Sequence, residues 1–244
     1  IEEIAAKYKI PVNFDEILKE TAKLTKVPQI GEDNRYFVDD YVITIDKRKA
    51  DEIDDALSCK KLPNGNYLLG VHIASVLSYY PYDSLMIDTA ISRTQTIYLP
   101  RMYCNEDKEQ CKIIPIFPFE FSTNRASLLP NQPRYTRSYY YEIDNEGNVV
   151  NEKYIKSIIK SNKKTTYEEV NKVLEHGTSD TEFEETVLNL QAVTELLDKK
   201  YKPSEFYEKI KESNDDYSDL RVKRVGSEKI VYQAMLLTGN RVAN

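Results

Sequence analysis

The stretch "ITIDKRKADEIDDALS", residues 43 to 58, places Asp46, Asp51, Glu52, Asp54 and Asp55 within ten positions, directly behind the apolar run Ile43-Thr44-Ile45. Like charges ~4 Å apart repel by about 1 kcal/mol in water and by about 4 kcal/mol at an effective dielectric of 20. Carboxylates that converge in a cleft therefore need protonation or a bound cation. On a strand leaving Ile45, Asp46 sits at the rim, and the charge density of "KRKADEIDDALS" reads as more loop than strand. If that loop curls back, Asp46, Glu52, Asp54 and Asp55 meet at one point, while Asp51, Lys47, Arg48 and Lys49 face outward. Oxygen-only ligands suit a hard cation, with Mg2+ the natural guest. Two such ions would set up in-line displacement at phosphorus. Taken alone, the same run also has the composition of a solvated surface turn.

No other constellation competes for chemistry. There is no Ser/His/Asp arrangement and no Gly-rich phosphate loop. His72, in "GVHIAS", reads as a structural residue on a buried strand, and His176, beside the helix-ending Gly177, as a cap or surface residue. Cys59, Cys104 and Cys111 are odd in number and lack metal-ligand spacing, so they read as free thiols in a reducing compartment. "CNEDKEQC" reads as a surface loop.

The elements that must carry the acidic run change character along the chain. "IEEIAAKYKIPVNFDEILKETAKLTK" predicts a short helical lead-in, and the turn chemistry of "VPQIGEDNRYF" joins it to the body. From residue 36 to about 160 the signals are mostly strand: "YVITID", "YLLGVHIASV", "TQTIYLP", "CKIIPIF" and "RSYYYEID", with hairpins at Asn64-Gly65 and in "DNEGNVV". Helical grammar follows. "TTYEEVNKVLEHG" has Thr caps, early acids and a terminal Gly177. "DTEFEETVLNLQAVTELLDKKY" (180 to 201) is amphipathic, and "SEKIVYQAMLLTGNRVAN" is a third helix. The class is α+β, strands early and helices late. The organisation expected is a lead-in and linker over 1–35 and one larger domain over 36–244.

The 244 residues are 41% hydrophobic, enough for a real core, and carry a net charge of −6, so no global basic excess advertises a nucleic-acid binder. Local patches decide that question. Nineteen tyrosines against seven phenylalanines and no tryptophan weight the aromatic supply toward rings with a polar handle. With no run of ~18 apolar residues and no signal-peptide pattern, the chain is expected to be soluble and intracellular, with no membrane partner. Because it opens on Ile1, it is expected to be a piece of a longer polypeptide.

The segments "ITIDKRKADEIDDALS" and "GNYLLGVHIASV" resemble the signature of the RNase II / RNase R (RNB) family of 3′-to-5′ exoribonucleases. Further matches follow in the family's order: "DTAISRTQTIYLP", "IPIFPFEFSTNRASLLP", "SNKKTTYEEV" and "IVYQAMLLTGNRVA". The resemblance implies an RNB catalytic domain, a mixed or antiparallel β-sheet core flanked by helices, truncated at its C-terminal end. It implies that Asp46, Glu52, Asp54 and Asp55 are both the catalytic and the metal-binding residues, with Mg2+ as cofactor and Mn2+ as its substitute. A metal-activated water would attack the last phosphodiester of single-stranded RNA bearing a free 3′ end, releasing nucleoside 5′-monophosphates. Tyr98 and Tyr167 fall on aromatic residues that contact the terminal nucleotides. For Tyr167 the rival role is packing at a helix start. Arg93 falls where the family carries an arginine that either holds a phosphate or braces the acidic loop. A cytoplasmic location and a larger RNA-decay assembly belong to the same implication.

Three departures stand against the family pattern. Glu52 replaces an aspartate, Ser75 stands where Asp is usual, and Tyr232 and Gln233 stand where acids are usual. The chain also ends before the family's downstream arginine and S1 module. Glu52, Ser75, the acidic net charge and the truncated end favour an alternative function, an RNB-like RNA-binding or scaffolding subunit without turnover, while the three retained aspartates favour the enzyme more.

Overall fold

The computed structural model describes Lys7 and residues 28–31, 34–98, 113–200 and 226–243. The expected lead-in helix and the loop "CNEDKEQC" lie outside the described residues, apart from Lys7.

The chain builds β1 (Tyr36–Phe37), β2 (Ile43–Asp46), β3 (Asp55–Lys61), β4 (Tyr67–Ala74), α1 (Leu85–Arg93), β5 (Ile97–Tyr98) and β6 (Ile113–Ile114). Then come β7 (Pro133–Ile143), β8 (Val149–Lys160), β9 (Lys163–Thr166), α2 (Tyr167–His176), α3 (Glu182–Lys200) and α4 (Ser227–Ala243). Seven strands form one mixed sheet in the order β1-β8-β7-β4-β3-β2-β9, and β5 and β6 form a separate ribbon. β1/β8 and β2/β9 are parallel, and the other pairs of the large sheet are antiparallel. The architecture is α+β, as expected.

Two tight turns set the hairpins. Gly65, at φ 87°, sits in the β3–β4 turn, where Leu62 N–H donates to Asn66 O at 2.7 Å. Gly147, at φ 80°, sits in the β7–β8 turn, and a Cβ there would meet the Leu196 carbonyl oxygen at 2.7 Å. A side chain at Gly147 would thus meet both an unfavourable backbone conformation and backbone atoms of α3.

Sheet residues alternate between covers. Ile43, Ile45, Leu57, Cys59, Leu69, Val71, Tyr141 and Ile143 pack under α2, α3 and α4, against Val170, Val187, Leu190, Val193, Leu197, Ile230, Ala234 and Leu237. The intervening Val42 and Ala56 join Val38, Ile53, Leu128 and Ile159 in another cluster, the period-2 partition of a sheet buried on both faces. A third cluster, with Tyr79, Met86, Phe121, Tyr135 and Ile158, covers the far end of β7 and β8.

Three readings need correction. Asp55–Lys61 is strand, not loop: its alternation is hidden because both faces are covered, leaving Ala56, Leu57, Ser58 and Cys59 all buried. Leu85–Arg93 is a helix inside a region read as mostly strand; its β-branched residues mask a start marked by Ser84, whose hydroxyl accepts from Ile87 N–H at 3.4 Å. Lys163–Thr166, of which the sequence marks only the threonines, as helix caps, is also a strand beside β2. Helix α2 follows the expected grammar. Thr166 and Glu169 form a reciprocal capping box, and Gly177 ends the helix at φ 67°. Among the described residues no helix is long and apolar enough to cross a membrane.

Candidate active site

The acidic run occupies the point where β2 ends and β3 begins. Ile43 pairs with Leu57 across the antiparallel β2/β3 ladder, so continuing that register sets Asp46 opposite Asp54, with Asp55 one residue further along β3. Asp46 is also in register with Thr166 of β9, which places Tyr167, the first residue of α2, beside the same strand end.

The intervening loop is tethered rather than free. Ala50 N–H donates to Lys47 O at 2.9 Å, closing a turn, and Lys164 Nζ donates to Ala50 O at 2.8 Å. Ile53 N–H donates to Ser127 Oγ at 3.1 Å and Leu128 N–H to Ile53 O at 2.9 Å, while Ala74 N–H donates to Asp54 O at 2.8 Å. Arg134 in turn pins the 124–127 segment, its Nε donating to Ser127 O at 2.8 Å and Nη2 to Asn124 O at 2.9 Å. Asp51, Lys47, Arg48 and Lys49 are exposed.

Asp46, Asp54 and Asp55 feel one another. Burial pushes the Asp55 carboxyl up to about 6, and Asp46 and then Asp54 push it further the same way. Burial raises Asp46, with Asp54 adding to the rise, while Thr44 and Lys164 pull it back. Asp54, whose side chain reaches solvent, is raised by the low-dielectric surroundings of its carboxyl and then by Glu52. Thr44 Oγ1 and Asp46 Oδ2 are both buried and neither has a well-aligned hydrogen bond among the described residues; the one donor near the carboxylate is the Thr44 hydroxyl, close enough to lower Asp46. A buried carboxylate oxygen without a well-aligned donor, beside two carboxyls held above their ordinary range, is a site short of positive charge. Glu52 is exposed, and its Oε1 accepts from Ser122 Oγ at 2.5 Å.

Among the described residues, no three His, Cys, Asp or Glu side chains gather as a ready-made metal cage. Mg2+ seldom uses one: it typically takes one or two carboxylates, keeps waters, and completes its shell with substrate phosphates. The donor chemistry and the poorly satisfied Asp46 oxygen fit that mode, in which Asp46, Asp54 and Asp55 are the residues that would hold the ion.

The remaining expected residues distribute as follows. Tyr167 is half-buried and packs at the margin of the helix-side core, next to the acidic strand end. Tyr98 lies on β5, paired with Ile113. Arg93 is buried at the end of α1, its Nη1 donating to Pro115 O at 2.7 Å. His72 is fully buried, with Nδ1 2.7 Å from Ser138 Oγ and Nε2 3.1 Å from Ser58 Oγ. His176 is exposed at the C-terminus of α2, with Nδ1 donating to Lys172 O at 2.6 Å. Cys59 is a buried free thiol. Of the departing residues, Ser75 Oγ is 2.7 Å from Ser78 Oγ, and Gln233 Nε2 donates to Asp198 Oδ1 at 3.1 Å between α4 and α3. Sequence reading assigned no role to Ser122, Ser127, Lys164 or Arg134. The only signal for them was the serine pair in "FSTNRAS" and the lysine two residues before the Thr166 cap.

The RNB domain family model matches residues 35–244. Ribonuclease R of Thermotoga maritima is 36% identical over 190 residues, covering 75% of this chain and 25% of that protein. Among solved structures, Mycoplasma genitalium RNase R in complex with double-stranded RNA superposes with a TM-score of 0.65 at 23% identity, over 81% of this chain and 34% of that one. Yeast Ssd1, a pseudonuclease, superposes with a TM-score of 0.55 at 19% identity, over 72% of this chain and 20% of that one. The chain spans about a quarter of the length of the curated relatives it matches. Over the sheet, its helical cover and the acidic strand junction, this chain belongs to the RNB domain family.

Proposed function

We propose that the chain carries the catalytic core of a metal-dependent 3′-to-5′ exoribonuclease that hydrolyses single-stranded RNA with a free 3′ end to nucleoside 5′-monophosphates. The observation that carries the reading is the Asp46–Asp54–Asp55 group: three mutually repelling carboxyls at one strand junction, one with a buried oxygen that lacks a well-aligned donor. Family membership supports it.

When bound, Mg2+ or Mn2+ would supply an activated water and screen charge at the scissile phosphate. The chain's own residues set the geometry. β2 and β3 present Asp46 and Asp55 from adjacent strands, and Ser127 and Lys164 hold the loop between them. Tyr167, which follows the Asp46 register partner Thr166 and packs at the margin of the core, is the proposed contact for a terminal base, and Tyr98 is carried over as a second. Stacking on such rings is sequence-tolerant, as stepwise degradation requires. Arg93, tied to Pro115, supports the segment after β6; holding a phosphate is the role proposed for it in the RNA-bound state. The setting proposed is cytoplasmic, within a larger RNA-decay assembly.

The second reading is an RNA-binding subunit without turnover. Glu52 favours it, since a longer side chain turned to Ser122 takes the place of an aspartate, and one fold relative is described as a pseudonuclease. Labelled single-stranded RNA decides between them: the purified protein with Mg2+ should release mononucleotides, and Asp54→Asn should abolish release. Full activity in that variant would refute the assigned site, and RNA binding without any release by the wild type would favour the subunit reading.

A further inference from the structure

The helix-side face of the sheet is covered at both ends and only partly between them, where Ile73 and Tyr139 pack at the margin of the helix-side cluster. Along β7, Tyr135 belongs to the cluster with Tyr79 and Phe121, and Tyr141 to the cluster under α2, α3 and α4. Arg137 and Tyr139 lie between. Across the strands, Asp55, Ile73, Arg137 and Lys156 are consecutive register partners, and so, one row along, are Val71, Tyr139 and Tyr154. Paired residues point to the same face, and neighbouring strands are about 4.8 Å apart, so Arg137 lies about 10 Å and Lys156 about 14 Å from Asp55 on one continuous surface.

The aromatic pair on that surface is ordered and open. The Tyr139 and Tyr154 rings stack with centroids 4.9 Å apart and 28° between planes. Arg137 Nη1 donates to Tyr154 Oη at 2.7 Å, its guanidinium 5.8 Å from the ring centre. Yet Tyr154 remains 53% exposed, and Lys156 is exposed beside it. A groove of about 360 Å³ runs along the pair, lined by Tyr139, Tyr141, Tyr154 and Arg241, with Arg241 3.6 Å from Glu152 at its rim. Outward of β8, β1 pairs only with Ser157 and Ile158, so Val149–Lys156 has no outer strand among the described residues.

We propose that Arg137, Tyr139, Tyr154 and Lys156 form a binding platform for single-stranded RNA. Resting on the nuclease reading above, it holds the stretch of substrate that extends away from Asp55. An exposed, pre-stacked ring accepts one more ring, and a base supplies it without regard to sequence. Arg137 and Lys156 lie where the backbone phosphates of such a strand would pass, and Arg241 adds a third positive charge against the one carboxylate of Glu152. A duplex cannot use the site, because its bases are already stacked on one another.

Fluorescence anisotropy of a labelled single-stranded oligonucleotide with the full chain, in EDTA to prevent cleavage, tests this. Tyr154→Ala should weaken binding about 5- to 160-fold, while Tyr154→Phe, which keeps the ring, should stay within about threefold of wild type. Lys156→Gln, at an exposed position, should reduce the slope of log affinity against log salt by about 0.7. The platform is overturned if the wild type does not bind, if Tyr154→Ala binds as tightly as Tyr154→Phe, or if a duplex or an acidic peptide displaces the strand equally well. Should Tyr154→Ala fail to fold, an unchanged salt slope in Lys156→Gln overturns it alone. Mononucleotide release with Mg2+, measured in parallel, separates the two claims. Tyr154-dependent binding without release sinks the catalytic reading and keeps the platform. Release with Tyr154-independent binding does the reverse.

Discussion

At the residue scale, Glu52 and Ser122 form the least expected contact of the site. A glutamate is one methylene longer than an aspartate, about 1.5 Å of added C–C bond, and here that reach ends on a serine hydroxyl 70 residues away. Because both groups are solvent-accessible, Ser122→Ala should leave the thermal midpoint almost unchanged, within about 0.5 kcal/mol of stability. If Ser122 positions Glu52 for the reaction, mononucleotide release should nonetheless fall in that variant and recover in Ser122→Thr, which keeps the hydroxyl; equal rates in all three proteins would assign the contact no role.

His72 makes a different kind of prediction. Burial lowers it to about 4, below its ordinary value near 6.5, so the unfolded chain binds a proton that the folded chain refuses. Its contribution to stability is therefore complete above about pH 6.5 and is lost as the pH falls from there toward 4, by roughly 2 kcal/mol at pH 5. Asp55, raised to about 6, works oppositely, stabilising the fold as the pH falls through 6. The His72 share is the difference between wild type and His72→Gln in denaturant melts: wild type should lose more stability between about pH 7.5 and about pH 5, and parallel losses would contradict the assignment.

At the scale of elements, the junction works because two segments distant in sequence lock the loop that carries the acids. Ser127 is fully buried, accepting from Ile53 N–H, and Arg134 fastens the backbone around it. Ser127→Ala leaves that amide without its acceptor, a cost of about 1–3 kcal/mol. The thermal midpoint should drop, and mononucleotide release should drop even at temperatures where the variant is folded; a full-rate variant would show that the tether is not needed.

What the sequence made legible follows the range of the interactions. The capping box and terminal Gly177 of α2, the two hairpin glycines and the amphipathic helices are written in local patterns, and the structure holds them. β3 was hidden because a strand covered on both faces does not alternate, and α1 because its β-branched residues resemble strand. The identities of the acidic residues were plain in "DEIDD". Their tethering was not, since Ser127, Lys164 and Arg134 matter only through contacts more than 70 residues away in two cases and through carbonyl bonds in the third.

At the scale of the whole molecule, a chain of net charge −6 places Asp55 of the β2–β3 junction on the same sheet face as Arg137 of β7 and Lys156 of β8. That arrangement suits a polyanion whose reacting end meets a cation-filled acidic site while its remaining phosphates meet arginine and lysine. Everything depends on the acidic junction taking up a divalent ion. Titration of the purified protein with Mn2+, read by electron paramagnetic resonance, tests this most directly. The account predicts saturable uptake by the wild type and clearly weaker uptake by Asp46→Asn and by Asp55→Asn. A wild type that binds no Mn2+, or variants that bind it equally well, would contradict it.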